Sequence, residues 1–126
     1  MGRMNVLGPG LSLDELRDRA KRPELAWSTF APGIDIYRLW GDPDVPDAAA
    51  AALLRYTPGS SGPRHRHEGV EHIFVLSGAQ RDERGVYEEG AHIVNQPGSV
   101  HKVSSPDGCV VAVVWERPNT FLEEPR

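Results

Sequence analysis

The sequence predicts an all-β fold, a single small barrel built from short strands. The chain of 126 residues is the right length for one domain of ordinary size. It contains 13 glycines and 11 prolines without any repeating period, and this frequency suits many tight turns. From residue 65 onward, turn pairs with Gly or Pro separate short apolar segments at regular spacing, which is typical of a sandwich or a barrel.

The individual strands follow from the turn signals between them. Residues 27–40 are predicted to be extended and interrupted at 32–33. The alanine run at 48–52 could be helical by itself, but it leads into a predicted strand that ends at Pro58-Gly59. The remaining predicted strands are 65–77, 79–83, 86–88, 91–96, 101–104 and 109–116, with hairpin tips at 84–85 and 107–108.

One helix is predicted near the N-terminus, over residues 12–22. Ser12 can cap it, Glu15 completes a capping box three residues later, and Pro23 ends it. The expected organisation is therefore an N-terminal leader with a short helix at 1–26, a barrel at 27–118, and a charged C-terminal tail at 119–126 that forms a surface strap or frays.

Composition narrows the class of protein. Hydrophobic residues make up 39% and charged residues 25% of the chain, with a net charge of −4 and no basic run, so neither disorder nor nucleic-acid binding is indicated. The single cysteine, Cys109, excludes an internal disulfide framework and fits a reducing compartment. No apolar run approaches the roughly 20 residues that span a bilayer. We expect a cytoplasmic protein without a membrane or nucleic-acid partner.

A set of histidines and one carboxylate carries the chemical prediction. In a regular strand, positions 65, 67 and 71 point to the same side, and a residue at 101 would face them from a neighbouring strand. Neutral imidazole and carboxylate suit first-row divalent ions, so one Zn, Fe, Mn or Ni ion is expected. The predicted ligands are His65, His67, Glu71 and His101, with Glu71 also the candidate catalytic base.

The spacing around these residues resembles the two signature motifs of the cupin superfamily. The first reads Gly59-x5-His65-x-His67-x3-Glu71-x6-Gly78 and the second contains Pro97-Gly98-x2-His101. The stretch 65–114 is similar to the RmlC-like cupin domain of ChrR-type anti-sigma factors. That resemblance implies a double-stranded β-helix, or jelly-roll barrel, in which the same four residues bind a metal ion and zinc fits as occupant.

The regulatory function of ChrR-type proteins is not implied by this resemblance. Those proteins bind their sigma factor through a separate N-terminal zinc domain with His and Cys ligands. The residues before Trp27 include neither type. The expected function is therefore a metal-dependent, oxygenase-type enzyme acting on a small organic molecule. The alternative is a non-enzymatic sensor of a metal or small molecule, and a metal-free cupin is disfavoured because it needs no intact ligand set.

Several other residues admit two interpretations. The histidines at 72 and 92 are expected to be structural, although His92 could line the cavity. Glu68 replaces Glu71 as a ligand only if a bulge shifts the strand. Cys109 is expected to be a buried hydrophobe, or else a redox-reactive thiol. The aromatic residues Tyr56, Tyr87 and Trp115 are expected to pack in the core or rim, and Gln96 and Arg55 are candidate polar cavity residues.

Two predicted strands are apolar on both faces, which has a consequence for assembly. Residues 72–76 and 109–115 lack the polar outer face of a lone barrel. The outer wall must then be covered, either by the N-terminal strand or by a second subunit. We expect a homodimer packed through this face.

Overall fold

The computed structural model describes Asp18 and residues 26–123, and it is an all-β fold with a curled sheet. Of the predicted helix over 12–22, only Asp18 is described, so this prediction lies almost entirely outside the described residues. The strands are β1 (Ser28–Ala31), β2 (Ile34–Trp40), β3 (Ala50–Tyr56), β4 (Ser60–Ser61), β5 (His65–Arg66), β6 (Glu71–Asp82), β7 (Gly85–Glu88), β8 (His92–Asn95), β9 (Val100–His101), β10 (Ser104–Ser105), β11 (Cys109–Trp115) and β12 (Thr120–Phe121).

The long strand β6 organises the architecture. Its first part pairs with β11 and β8, and its last residues pair with β7 and β10. The main path of this larger sheet runs β1-β2-β3-β11-β6-β10-β4, and the short strands β12, β5 and β9 form a second sheet. Every pairing is antiparallel. The two sheets enclose one interior, into which alternate residues of each strand point.

The hydrophobic core fills this interior. On β11, Val111 and Val113 face inward and pair with Val75 and Ile73 of β6. A smaller apolar cluster lies on the opposite, outer face of the sheet, where Leu53 of β3, Leu76 of β6 and Ala112 of β11 are buried beneath partly exposed aromatic and aliphatic side chains. Both faces of the central strands are therefore apolar, as the uniformly apolar segments predicted.

Several predicted strands are confirmed. The extended region 27–40 is broken at Pro32-Gly33 into β1 and β2, and residues 50–52 of the alanine run belong to β3 rather than to a helix. The hairpin predicted between β6 and β7 is present, with its turn at 83–84, one residue earlier than predicted. In the described part of the chain, no helix is long and apolar enough to cross a membrane.

The single strand predicted at 65–77 is wrong. The chain forms β5 at 65–66, bends at 68–69 and begins β6 at Glu71, and the two strands belong to different sheets. The predicted strand 79–83 is instead the end of β6, and the predicted strand 101–104 is divided between β9 and β10. The bend allows the chain to cross from one sheet to the other, so the two halves of the first motif face each other across the interior.

Candidate metal centre

The four predicted ligands converge on one point in the interior. His65 on β5 pairs directly with His101 on β9, and their Nε2 atoms lie 2.8 Å apart. His67 follows β5, and its Nε2 lies 3.0 Å from Oε1 of Glu71, the first residue of β6. One potential ligand atom from each of the four residues lies within 4.8 Å of the other three. His67, Glu71 and His101 are buried, and His65 is partly buried.

Hydrogen bonds on the far side of each ring fix the orientation of the three imidazoles. Nδ1 of His65 donates to the carbonyl of Pro63, Nδ1 of His67 donates to the carbonyl of Ser99, and Nδ1 of His101 donates to Asp82, each over 3.0 Å. A carbonyl or carboxylate oxygen only accepts, so the proton of a neutral ring resides on Nδ1. The Nε2 lone pairs therefore point into the centre.

This arrangement fits a cation. Two neutral imidazoles that present lone pairs to each other at 2.8 Å repel, and so do a lone pair of His67 and the Glu71 carboxylate at 3.0 Å. A single cation among the four groups turns each repulsion into an attraction. Histidine ligands in metal sites commonly donate their second nitrogen to an oxygen acceptor, as all three rings do in this structure. The donor set, three imidazoles and a carboxylate, suits a divalent first-row ion.

Glu71 is held rigidly by four polar neighbours. Its Oε1 contacts Nε2 of His67 and accepts a hydrogen bond from Asn95 over 3.0 Å, and its Oε2 accepts hydrogen bonds from Trp115 Nε1 over 2.7 Å and Asn119 Nδ2 over 2.9 Å. Donors from two strands and the segment after β11 thus fix the position of both oxygens.

The electrostatics favour an ionised carboxylate and neutral imidazole. Burial raises the pKa of Glu71, but a protonated His67, which donates a hydrogen bond and carries positive charge when no cation is bound, and the hydrogen bond from Asn119 lower the pKa to about 2. A metal ion at the centre would supply that positive charge and leave His67 neutral. Burial lowers the pKa of His65, which favours the neutral ring. Both protonation states are those that a metal ligand needs.

His101 has an anionic partner that the sequence did not reveal. The Asp82 side chain is 2% exposed, and it also accepts hydrogen bonds from the backbone N–H of Arg84 over 2.8 Å and from the Tyr87 hydroxyl over 3.0 Å. Burial raises the pKa of Asp82, whereas the hydrogen bonds from His101, Arg84 and Tyr87 outweigh it and lower the pKa. The carboxylate is therefore ionised and directs the His101 ring.

A cavity lies beside the centre and reaches it from the side of β12. Its volume is about 30 Å³, and it is partly open to the surrounding solvent. Its walls are mainly apolar, with polar groups at Tyr56, Gln80 and Asn119, and three of the four candidate ligands border it. A small molecule in this cavity would contact the metal position directly.

The other candidate residues are distributed between the two faces of the sheet. Tyr56 is buried and borders the cavity, whereas His92 is exposed on the outer face and bonds His72 over 2.9 Å. Arg55 also lies outside, with its guanidinium 4.3 Å from the Trp27 ring centroid. Glu68 is exposed and paired with Arg66, away from the converging atoms.

Of the remaining candidates, Gln96 is exposed, so it does not line the cavity. Cys109 is buried, as predicted for a hydrophobe, and burial raises the pKa of its thiol despite a hydrogen bond with Ser105. Trp115 packs in the core but also donates to Glu71, and Tyr87 donates to Asp82.

Sequence reasoning missed Asp82, Asn95 and Asn119, whose side chains support the ligands. Each is separated in sequence from the ligand that it contacts by 19, 24 and 48 residues, respectively. These contacts depend on strand register and on the path of the chain after β11. Two of the three carried a signal, because Asp82 and Asn95 lie in the stretch 65–114 that resembles the ChrR-type cupin domain.

Comparison with known proteins places this chain in a family. The model of the ChrR cupin-like domain family matches residues 17–117. The chain belongs to this family. It is therefore a cupin, and its His/Glu cluster is one that could bind a metal ion. The similarity inferred from the two motifs is confirmed.

Among curated proteins, this cupin is 27% identical over 77 residues to a proposed dimethylsulfoniopropionate lyase, DddL, from Cereibacter sphaeroides. The match covers 58% of this chain and 33% of DddL. The chain thus spans about a third of the length of the curated relative that it matches.

Two solved structures resemble the fold. The complex of Rhodobacter sphaeroides SigE with the anti-sigma ChrR matches with a TM-score of 0.65 and 27% identity, covering 76% of this chain and 52% of that chain. An acetylacetone dioxygenase from Acinetobacter johnsonii matches with a TM-score of 0.71 and 18% identity, covering 98% of this chain and 86% of the dioxygenase. The second likeness shows the fold alone.

Proposed function

We propose that this cupin is a metal-dependent enzyme that performs oxygenase-type chemistry on a small, oxygen-containing organic molecule. The observation that carries the proposal is the set of Nε2 lone pairs and one carboxylate oxygen that face each other beside an apolar cavity. A structural ion would need no such cavity at its side. The proposed ligands are His65, His67, Glu71 and His101.

The metal would supply Lewis acidity and, if it is iron, a site for dioxygen. The residues of the chain have separate tasks. The apolar walls favour an organic molecule over water, and Asp82 and the carbonyls of Pro63 and Ser99 keep the rings turned inward. Glu71 as a detachable base stays a prediction. Its hydrogen bonds from Asn95, Trp115 and Asn119 support a fixed ligand instead.

The experiment is elemental analysis followed by an activity assay. The protein, purified without added metal, is expected to contain about one equivalent of a divalent first-row ion. The iron-loaded form is expected to consume oxygen in the presence of acetylacetone, the diketone that appears in the name of the structurally similar dioxygenase. The His101→Ala variant is the control and is expected to lose both. No metal binding, or iron binding without oxygen uptake on any diketone or catechol, contradicts the oxygenase proposal.

The curated relative supports a second reaction class for the same site, elimination from a dimethylsulfonio acid. The identity of 27% covers only part of DddL, so the substrate is not transferred with the fold. Incubating the metal-loaded chain with dimethylsulfoniopropionate and measuring dimethyl sulfide separates the two classes. Release of dimethyl sulfide without oxygen uptake would favour the lyase over the oxygenase.

A sensor is the alternative outside catalysis, and the likeness to the SigE–ChrR complex supports it. The version that depends on thiol oxidation has little support, because Cys109 is buried and its thiol pKa is raised. A thiol that rarely ionises reacts slowly with oxidants. Tightly bound zinc without any turnover of the substrates above would favour the sensor.

A further inference from the structure

The segment after β11 forms one wall of the site. We call residues 118–121 the C-terminal strap. Thr120 and Phe121 pair with Arg66 and His65 of β5, so the strap is tied to the strand that carries a proposed ligand. The Phe121 ring lies 6.2 Å from the His65 ring and 5.9 Å from Phe30, at the border of the cavity. The family match ends at residue 117, before the strap begins.

Only one of the two polar atoms of the Asn119 side chain has a hydrogen-bond partner among the described residues. Its Nδ2 donates to Oε2 of Glu71 over 2.9 Å. Because a carboxylate accepts and does not donate, this contact fixes which end of the amide is nitrogen. The other end, Oδ1, is buried and has no hydrogen-bond partner among the described residues.

A buried acceptor without a donor is unfavourable, and buried side-chain oxygens are normally paired. Asn119 borders the cavity beside His65, Glu71 and His101. A molecule that binds there lies next to both the metal position and the Asn119 side chain. The neighbouring cavity walls, such as Ile73 and Val113, are apolar and offer the Asn119 Oδ1 no partner.

We propose that Asn119 is a specificity-determining residue whose Oδ1 accepts a hydrogen bond from the ligand of the cavity. The inference rests on the proposed function and deepens it by naming the ligand class. That class is a small chelator that binds the metal through oxygen atoms and carries an N–H or O–H donor beside them, as hydroxamates and hydroxyketones do. A chelator without such a donor leaves Oδ1 unpaired and binds more weakly.

The test uses two probes that differ at the donor. Acetohydroxamate carries an N–H, and N-methylacetohydroxamate carries a methyl group in its place. Calorimetric titration of the zinc-loaded chain gives the ratio of the two dissociation constants. We expect acetohydroxamate to bind about 5- to 10-fold more tightly, the effect of one hydrogen bond to a buried acceptor.

Three variants test whether Asn119 causes the difference in affinity between the two probes. Asn119→Leu keeps the side-chain volume and removes the acceptor, so the ratio is expected to fall to near one. Asn119→Asp keeps an acceptor oxygen and is expected to keep the preference even where zinc binds more weakly. Thr120→Val is the matched control on the strap, because the Thr120 hydroxyl bonds the exposed Glu68 and does not border the cavity.

The possible outcomes distinguish a failure of this inference from a failure of the proposed metal site. A chain that binds no zinc contradicts the metal site and the inference together. Zinc binding with equal affinity for the two probes, or with neither bound, overturns the inference alone. A preference that persists in Asn119→Leu also overturns it, because the discrimination would then come from the size of the methyl group.

Discussion

At the scale of single residues, Asp82 is the side chain on which the orientation of His101 depends. It is buried, ionised and 3.0 Å from Nδ1 of that ring. The Asp82→Asn variant keeps the shape but loses the charge, and its amide can present a donor where the ring needs an acceptor. Removing such a partner of a ligating histidine typically costs 10- to 100-fold in metal affinity. We expect zinc affinity, measured by competition with a chromophoric chelator, to fall by at least about 10-fold.

The matched control is Asp35→Asn, which removes a carboxylate from the partly exposed ion pair with Arg55 on the outer face. An exposed pair contributes little to stability, and this one does not contact the site. Zinc affinity is expected to stay unchanged in this variant. Equal losses in the two variants would mean that general electrostatics, rather than the contact with His101, determines metal binding.

At the scale of the elements, sequence reasoning identified the four converging residues but misjudged why they converge. The shared parity of positions 65, 67 and 71 assumed one regular strand, whereas the bend at 68–69 puts His65 and Glu71 in different sheets. The spacing of the motifs predicts which residues converge but not the path that the chain takes between them. The supporting contacts of Asp82, Asn95 and Asn119 could not be predicted, because local periodicity does not determine the register between strands that are distant in sequence.

The structure explains why the first motif ends in a glycine, which the sequence alone did not. Gly78 pairs with Cys109 just beyond the point, between Val75 and Ser77, where the pairing of β6 with β11 shifts by one residue, and its φ is 71°. A Cβ there would lie 2.2 Å from the carbonyl oxygen of Gly108 and 2.9 Å from Cα of Cys109. The shift lets Glu71 and Gln80 both border the interior although their positions differ in parity.

We therefore expect Gly78→Ala to destabilise the barrel strongly. The positive φ by itself costs about 1 kcal/mol for alanine, and the backbone contact adds more, for a total above about 3 kcal/mol. Gly59→Ala is the control, since its φ is 82° but a Cβ would meet nothing within 4 Å. Urea denaturation measures both variants. Equal losses at the two positions would show that the close approach of β11 has no energetic effect.

At the scale of the whole molecule, the outer face of the sheet is only partly covered by the described residues. Side chains such as Trp27, Tyr37 and Phe74 shield the buried outer cluster. Beside them, Val94 of β8 and Val114 of β11 remain 39% and 43% exposed, and both are aligned with His72 of β6. A second copy packed on this face would bury the exposed valines. The homodimer therefore stays our prediction.

The dimer prediction is tested by size-exclusion chromatography with light scattering. We expect about 28 kDa, twice the 13.9 kDa chain, for the natural sequence. Val114→Lys places a charge in the centre of the proposed interface, where burying it is unfavourable, and should give monomers that still bind zinc. Val86→Lys, which alters a valine that is 59% exposed on β7, should remain dimeric. A monomeric natural chain, or a dimer that survives Val114→Lys, would contradict pairing through this face.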